Sequence, residues 1–258
     1  MRFASLGSGS DGNGLIIEAG TSRVLLDCGF SVRDASRRLA RLGLSPEKLS
    51  GIIVTHEHSD HAGGVFALAR RYALRVWITH GTLSALREFD AEVDCGVSVT
   101  LIRGEAEFAV GDLALLPFTV PHDAREPVQF TASDGARSLG VLTDTGCKTP
   151  HLEEVLSGCD ALVLETNHDA DMLRAGQYPP ALKARIAGRY GHLDNASSAA
   201  ILAALDRSRL QHVVAAHLSK QNNTPELARA ALAAVLDCRD AWVGVASQED
   251  GFDWRDIV

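Results

Sequence analysis

An α/β fold, with two sheets packed on one another and helices outside, is what the sequence predicts for this chain. Strand-rich and helical blocks alternate twice along its 258 residues, an order that two packed sheets with external helices accommodate. No linker, repeat or low-complexity tract interrupts the alternation, so residues 1–258 are expected to form one domain. The 46% hydrophobic content supplies a sizeable core at this length.

The first block reads as strands at 3–6, 15–19 and 24–27, the last following the turn residues Gly20, Thr21 and Ser22. A helix is expected over 31–42, with Ser31 as its cap and Gly43 as its stop. Residues 51–55 make a compact apolar strand. From 97 to 143 the pattern returns to strands, with hairpin turns at Gly111-Asp112 and Asp134-Gly135. A helix near 149–157, a strand at 161–166, a helix over 195–207 and an inner strand at 213–216 come next. Thr224, Pro225 and Glu226 open a further helix, Thr as cap and Pro in the first turn.

Charge and cysteine usage narrow the setting. Acidic residues outnumber basic ones by 33 to 25, which argues against indiscriminate adhesion to nucleic acid but leaves room for a local basic groove. The five cysteines are scattered and never spaced as C-x-x-C, as suits reduced thiols in a cytoplasmic protein. The opening residues lack the apolar region of a secretion signal, and no stretch approaches the roughly eighteen apolar residues of a membrane span. No membrane partner is expected, and the oligomeric state is not legible.

Residues 55–61, Thr-His-Glu-His-Ser-Asp-His, place three imidazoles and a carboxylate within six positions directly after a buried strand. A helix would put His56 and His58 on different faces, whereas an irregular loop can fold His56, His58, Asp60 and His61 onto one point. Imidazole with carboxylate suits zinc, manganese or iron, and a metal-dependent hydrolase follows. Four groups cannot complete two coordination shells, so further ligands are sought at strand ends. His122, Asp144 and His217 each sit just beyond an apolar strand. Read alone, Asp144 is equally a turn residue before Gly146, and His122 and His217 are caps or core histidines; their shared placement favours ligands.

Together these residues resemble, in order, the motifs of the metallo-β-lactamase superfamily. Within it the chain is similar to the bacterial WalJ/YycJ-like subfamily of exonucleases, through SLGSGSDGN at 5–13, VTHEHSDHAGGV at 54–65, LGVLTDTG at 139–146, ETNHD at 165–169 and AHLSKQNN at 216–223. The resemblance implies a four-layer αββα sandwich and two divalent metal ions, zinc or manganese foremost and iron as a third candidate. It assigns His56, His58 and His122 to one ion, Asp60, His61 and His217 to the other, and Asp144 to both. The implied activity is that of a phosphodiesterase, a nuclease of the 5′-to-3′ exonuclease kind that acts on nucleic acid through a metal-activated water. Asp60 would also orient that water. In the related tRNase Z enzymes a histidine ahead of a helix serves to protonate the leaving group. His192 is the matching candidate for general acid, with helix capping as the competing role.

The glycine-rich loop 7–14 lets backbone N–H groups approach an anion, with Ser10 and Asn13 as candidate substrate contacts. His168 and Lys220 complete that set, and Lys183, Arg185 and Arg189 lie in segments suited to a phosphate backbone. Arg33, Arg37 and Arg41, with Arg38 beside them, make one helix surface basic, either a solvated face or a nucleic-acid contact. The short interval from His122 to Asp144 leaves no room for the tRNA-binding arm of tRNase Z. That from Asp144 to His217 is too short for the extra domain of RNase J-like enzymes. The competing readings are a thioester or lactone hydrolase like glyoxalase II, and a metal-binding regulator without turnover.

Overall fold

A computed structural model describes residues 1–258. The chain builds β1 (Arg2–Gly7), β2 (Gly14–Ala19), β3 (Ser22–Leu26), β4 (Gly51–Ile53), β5 (Val76–Thr79) and β6 (Val99–Ile102). It continues with β7 (Phe108–Val110), β8 (Leu113–Thr119), β9 (Val128–Ser133), β10 (Ser138–Leu142), β11 (Ala161–Glu165), β12 (His212–Ala216) and β13 (Gly244–Val245), then returns to the first sheet with β14 (Phe252–Asp256). The two seven-stranded sheets run β14-β1-β2-β3-β4-β5-β6 and β13-β12-β11-β10-β9-β8-β7.

Alternation along the strands explains the layering. Phe3, Ile17, Val24, Leu26 and Ile53 pack against Leu115, Phe130, Val141 and Val163 between the sheets. Their neighbours Ala4, Ile16, Leu25 and Ile52 point the other way, because successive side chains leave opposite faces of a strand. These outer residues meet α1 (Val32–Arg41) through Ala35 and Leu39, and a helical layer of α2 (Ser59–Ala62), α3 (Val65–Tyr72) and α4 (His80–Phe89) through Val65, Leu68 and Leu83. The second sheet is covered likewise. Leu162, Leu164, Val213 and Ala215 pack on α5 (Pro150–Leu156), α8 (Asn195–Ala204) and α9 (Pro225–Leu236) through Leu152, Ile201 and Leu232. Strands apolar on both faces therefore produce four layers, αββα, as expected from the resemblance.

Helices α6 (Ala170–Ala175) and α7 (Pro180–Ile186) fill the connection from β11 to α8. No helix is long and apolar enough to cross a membrane. Within each sheet one half is parallel, β3 to β6 and β10 to β13. Loops leaving the carboxyl ends of parallel strands gather at one rim, and there the chemistry-bearing residues meet.

The arginine-rich helix turns out to be largely occupied. Ser31 Oγ accepts from Asp34 N at 3.2 Å and caps α1. Arg38 stacks on Phe30 at 4.2 Å and donates to the carbonyls of Leu6, Gln248 and Glu249. Arg41 donates to Ser5 O at 2.8 Å and pairs with Asp253, and Arg37 pairs with Asp34 within the helix. This side of α1 joins the helix to the first sheet and to the segment leading into β14.

Candidate metal centre

Each histidine and carboxylate of the site leaves the rim of a strand. Asp27 follows β3, Thr55 to His61 follow β4, His122 follows β8, Asp144 follows β10, Glu165 ends β11, and His217 follows β12. Asp27, Asp144 and His217 have φ of 61°, 51° and 57°, a left-handed conformation that side-chain-bearing residues adopt at a cost and that the surrounding structure must hold. Gly29 and Asp60 pass so closely that a β-carbon on the glycine would collide with the Asp60 carbonyl.

All seven expected ligands converge. The inward atoms of His56, His58 and His122 lie within 4.8 Å of one another, as do those of Asp60, His61 and His217, and those of His56, His61 and Asp144. Asp144 Oδ2 is 3.0 Å from His61 Nε2, and Asp144 Oδ1 is 3.5 Å from His217 Nδ1 and 4.0 Å from His122 Nε2. The carboxylate thus stands between two groups of three.

Outer hydrogen bonds fix which ring nitrogens face inward. Asp27 accepts from Thr55 N, Thr55 Oγ1 and His61 Nδ1, all at 2.8 Å. Because the Thr55 hydroxyl proton is committed to Asp27, Thr55 Oγ1 must accept from His56 Nδ1, 3.0 Å away. His122 Nδ1 donates to Gly191 O at 3.1 Å. His56, His61 and His122 therefore have Nδ1 engaged on the outside and turn Nε2 to the interior, the arrangement in which second partners orient metal-binding imidazoles. His58 Nδ1 lies 3.0 Å from His56 Nε2 and 3.3 Å from His122 Nε2. Asp144 Oδ2 is buried without a hydrogen-bond donor. Converging lone pairs and an orphaned carboxylate oxygen are what a cation would satisfy, so the donor set fits divalent metal.

The electrostatics agree. Burial and the neighbouring imidazoles push His56 well below the usual histidine range. Burial also opposes a charged His61, but Asp144, Asp60 and Asp27 outweigh it and raise its proton affinity well above normal. The same contest lifts His217 to about 10, with Asp144 as the largest opposing influence.

The remaining candidates separate. His192 Nδ1 donates to Glu165 Oε1 at 2.7 Å, and its ring lies 5.4 Å from His122 and 5.3 Å from His217. Burial lowers its proton affinity, yet Glu165 and Asp144 raise it overall. It does not cap α8: Asp194 does, accepting from Ser197 N at 2.6 Å. Asn13 faces inward. Its Nδ2 lies 3.2 Å from Asp60 Oδ2 and 3.0 Å from Gly9 O, while its Oδ1 accepts from Gly9 N at 2.9 Å. Ser8 Oγ accepts from His217 N at 2.9 Å, tying the same glycine loop to another ligand. The loop is latched in turn by Ser247 O, which accepts from Ser8 N, and by Gln248, bonded to Asp11 N and Gly12 O. Ser10 is exposed, and Lys220 pairs with Asp11 beside it. His168 is buried, 3.4 Å from Asn167 Oδ1, outside the groups of converging ligands. Lys183 donates to Arg174 O, and Arg185 pairs with Asp123 at 2.6 Å.

Asp27 and Glu165 were not singled out from the sequence as site residues. Both bear the signal that identified the distant ligands, a carboxylate at the end of an apolar strand.

Comparison with known proteins fits this geometry. Residues 22–217 match the beta-lactamase superfamily domain. The chain is 35% identical to exodeoxyribonuclease YycJ of Bacillus anthracis, over 95% of this chain and 93% of that protein. It is 33% identical to exodeoxyribonuclease WalJ of Streptococcus pneumoniae serotype 2, over 95% and 91% of the two chains. Among solved structures, the metallo-β-lactamase fold protein YhfI of Bacillus subtilis superposes with a TM-score of 0.75 at 15% identity, covering 98% of each chain. Two helix-flanked sheets, a histidine and aspartate cluster at their shared rim, and end-to-end likeness to YycJ and WalJ place this chain in the metallo-β-lactamase superfamily, within the YycJ/WalJ subfamily.

Proposed function

We propose that the protein is a metal-dependent exodeoxyribonuclease, acting 5′-to-3′ and using residues 1–258 as one hydrolase domain. The observation that carries this reading is the meeting of two three-residue ligand groups on Asp144 in a chain alike over 95% of its length to two exodeoxyribonucleases. His56, His58 and His122 would hold one divalent ion, Asp60, His61 and His217 the second, and Asp144 both. Zinc or manganese suits the imidazole-rich donor set, with iron next. Bound there, the ions would supply Lewis acidity and a water of lowered pKa.

The chain's own residues supply the rest. Asp60, restrained by Asn13 and His217, accepts a hydrogen bond from the attacking water and aligns it with phosphorus. As the new P–O bond forms, the bond to the leaving oxygen breaks, and His192 delivers a proton to that oxygen. Glu165 keeps His192 Nδ1 occupied, so the transferable proton is on Nε2. Lys220 and Ser10, at the glycine loop, are suited to the strand's phosphates. The unpaired state of all five cysteines supports a reducing compartment such as the cytoplasm.

The test uses protein stripped with chelator, reloaded with zinc or manganese, and given DNA and RNA labelled separately at each end. Mononucleotides should leave the 5′ end of DNA, only after reloading. Rapid hydrolysis of a thioester with no strand cleaved under any loading would overturn the proposal.

A further inference from the structure

Resting on the nuclease reading above, we propose that the groove beside His58 is a base-binding subsite in which Phe89 stacks on a nucleobase at the end of a single strand. Phe89 ends α4 and is 88% exposed, the most exposed of the chain's large hydrophobic side chains. It does not stand alone on the surface. Together with Leu86 it lines a groove of about 730 Å³ that also contains His58 and Asp123, so the groove runs directly from the aromatic ring to the first ligand group. Volumes of this order accommodate small organic ligands.

Charge selects which part of a nucleotide belongs there. Arg125 lines the groove but is paired through both terminal guanidinium nitrogens with Glu88, and Asp123 is paired with Arg185. The lining carries three carboxylates, Glu57, Glu88 and Asp123, against the one guanidinium, a balance that repels a phosphate, whereas an uncharged planar base meets an aromatic face and the Leu86 side chain. Exposed rings are few. Besides Phe89 the chain exposes only Tyr190 and Trp242 among its large aromatic side chains, and neither lines this groove. Stacking is sequence-tolerant because every base offers a π face. A subsite of this kind would grip the strand end without reading its sequence.

The experiment uses metal-loaded full-length protein and single-stranded oligonucleotides with 2-aminopurine as the terminal base, whose fluorescence falls on stacking. Wild type should quench the probe. Phe89→Ala should weaken binding and raise KM about tenfold, and Phe89→Tyr should restore both. A strand ending in an abasic sugar should bind wild type as weakly as it binds Phe89→Ala, while Trp242→Ala should match wild type on normal strands. The proposal is overturned if Phe89→Ala binds normal strands like wild type, or if it weakens binding of abasic and normal ends equally. Quenching that depends on Phe89 in a protein that cleaves no strand would sink the nuclease reading and leave the base subsite standing. Cleavage with an unchanged KM in Phe89→Ala would do the reverse.

Discussion

Asp27 engages three donors with one carboxylate, and through two of them it orients His61 directly and His56 by way of Thr55. Asp27→Ala should therefore lower metal affinity about 10- to 100-fold, measured by titration against a chelator of known strength, although Asp27 belongs to neither ligand group. His192→Ala should behave oppositely. It should keep both ions and lose about 100- to 10,000-fold in kcat. Because His192 also lies within 4.8 Å of Asp144, Glu165 and His217, loss of metal in that variant would make it a ligand instead of an acid. At this scale the sequence reveals much: the seven residues read from it converge. Asp27 escaped because, unlike Asp144, it lies outside the motif segments that carry the resemblance, and a carboxylate at a strand end before Cys28-Gly29 otherwise looks like an ordinary turn residue. Asn13 was expected as a candidate substrate contact; that its amide lies against Asp60 and His61 was not legible, because which way an amide points in a glycine loop depends on distant residues.

Helix α1 shows how an element's role is settled by what packs against it. Its arginines invite a nucleic-acid role, yet Arg38 donates to three carbonyls on two other segments. Arg38→Ala leaves those carbonyls without their donor and removes the stacking on Phe30, at a cost of about 1–3 kcal/mol. Thermal denaturation should register this as a fall of several degrees, with strand affinity and its salt dependence unchanged. A variant that melts like wild type but binds strands more weakly would return α1 to the nucleic-acid surface. Elements with conventional punctuation were legible, including α1, α5 and α9 with their Ser or Thr caps. The succession α3, β5, α4 was not. Helix α3 ends on Ala73 in a left-handed conformation (φ 53°) where glycine usually stands, and α4 begins at the residue following β5. The first boundary carries no turn residue, and at the second Thr79 is both the last strand residue and the helix cap, accepting from Thr82 N, so no loop separates the two elements.

At the scale of the molecule, double-sided burial of the strands was readable from their apolar runs, but the pairing of β14 with β1 across the whole chain was not, since Phe252–Asp256 alternates apolar and charged residues like any exposed strand. The layered core also controls thiol chemistry. Burial pushes Cys28 up to about 12 and Cys159 to about 11, from 9.0. A thiol pKa raised on folding favours the folded state fully below the unfolded value, so this contribution should be lost as pH climbs from about 9 to 12. Native protein at pH 8 should accordingly label with a thiol reagent at exposed Cys95 and leave Cys28 and Cys159 protected until denaturant is added; prompt native labelling of Cys28 would contradict the packing. The latch of Ser247 and Gln248 on the glycine loop has a consequence in time. A ribosome makes Asp11 long before Gln248, 237 positions later, and the loop so secured is the one that steadies Asp60 and His217. A nascent chain that has been made as far as His217 thus carries every expected ligand and still lacks the contacts that secure this loop, so the centre is finished only after Gln248 has been added.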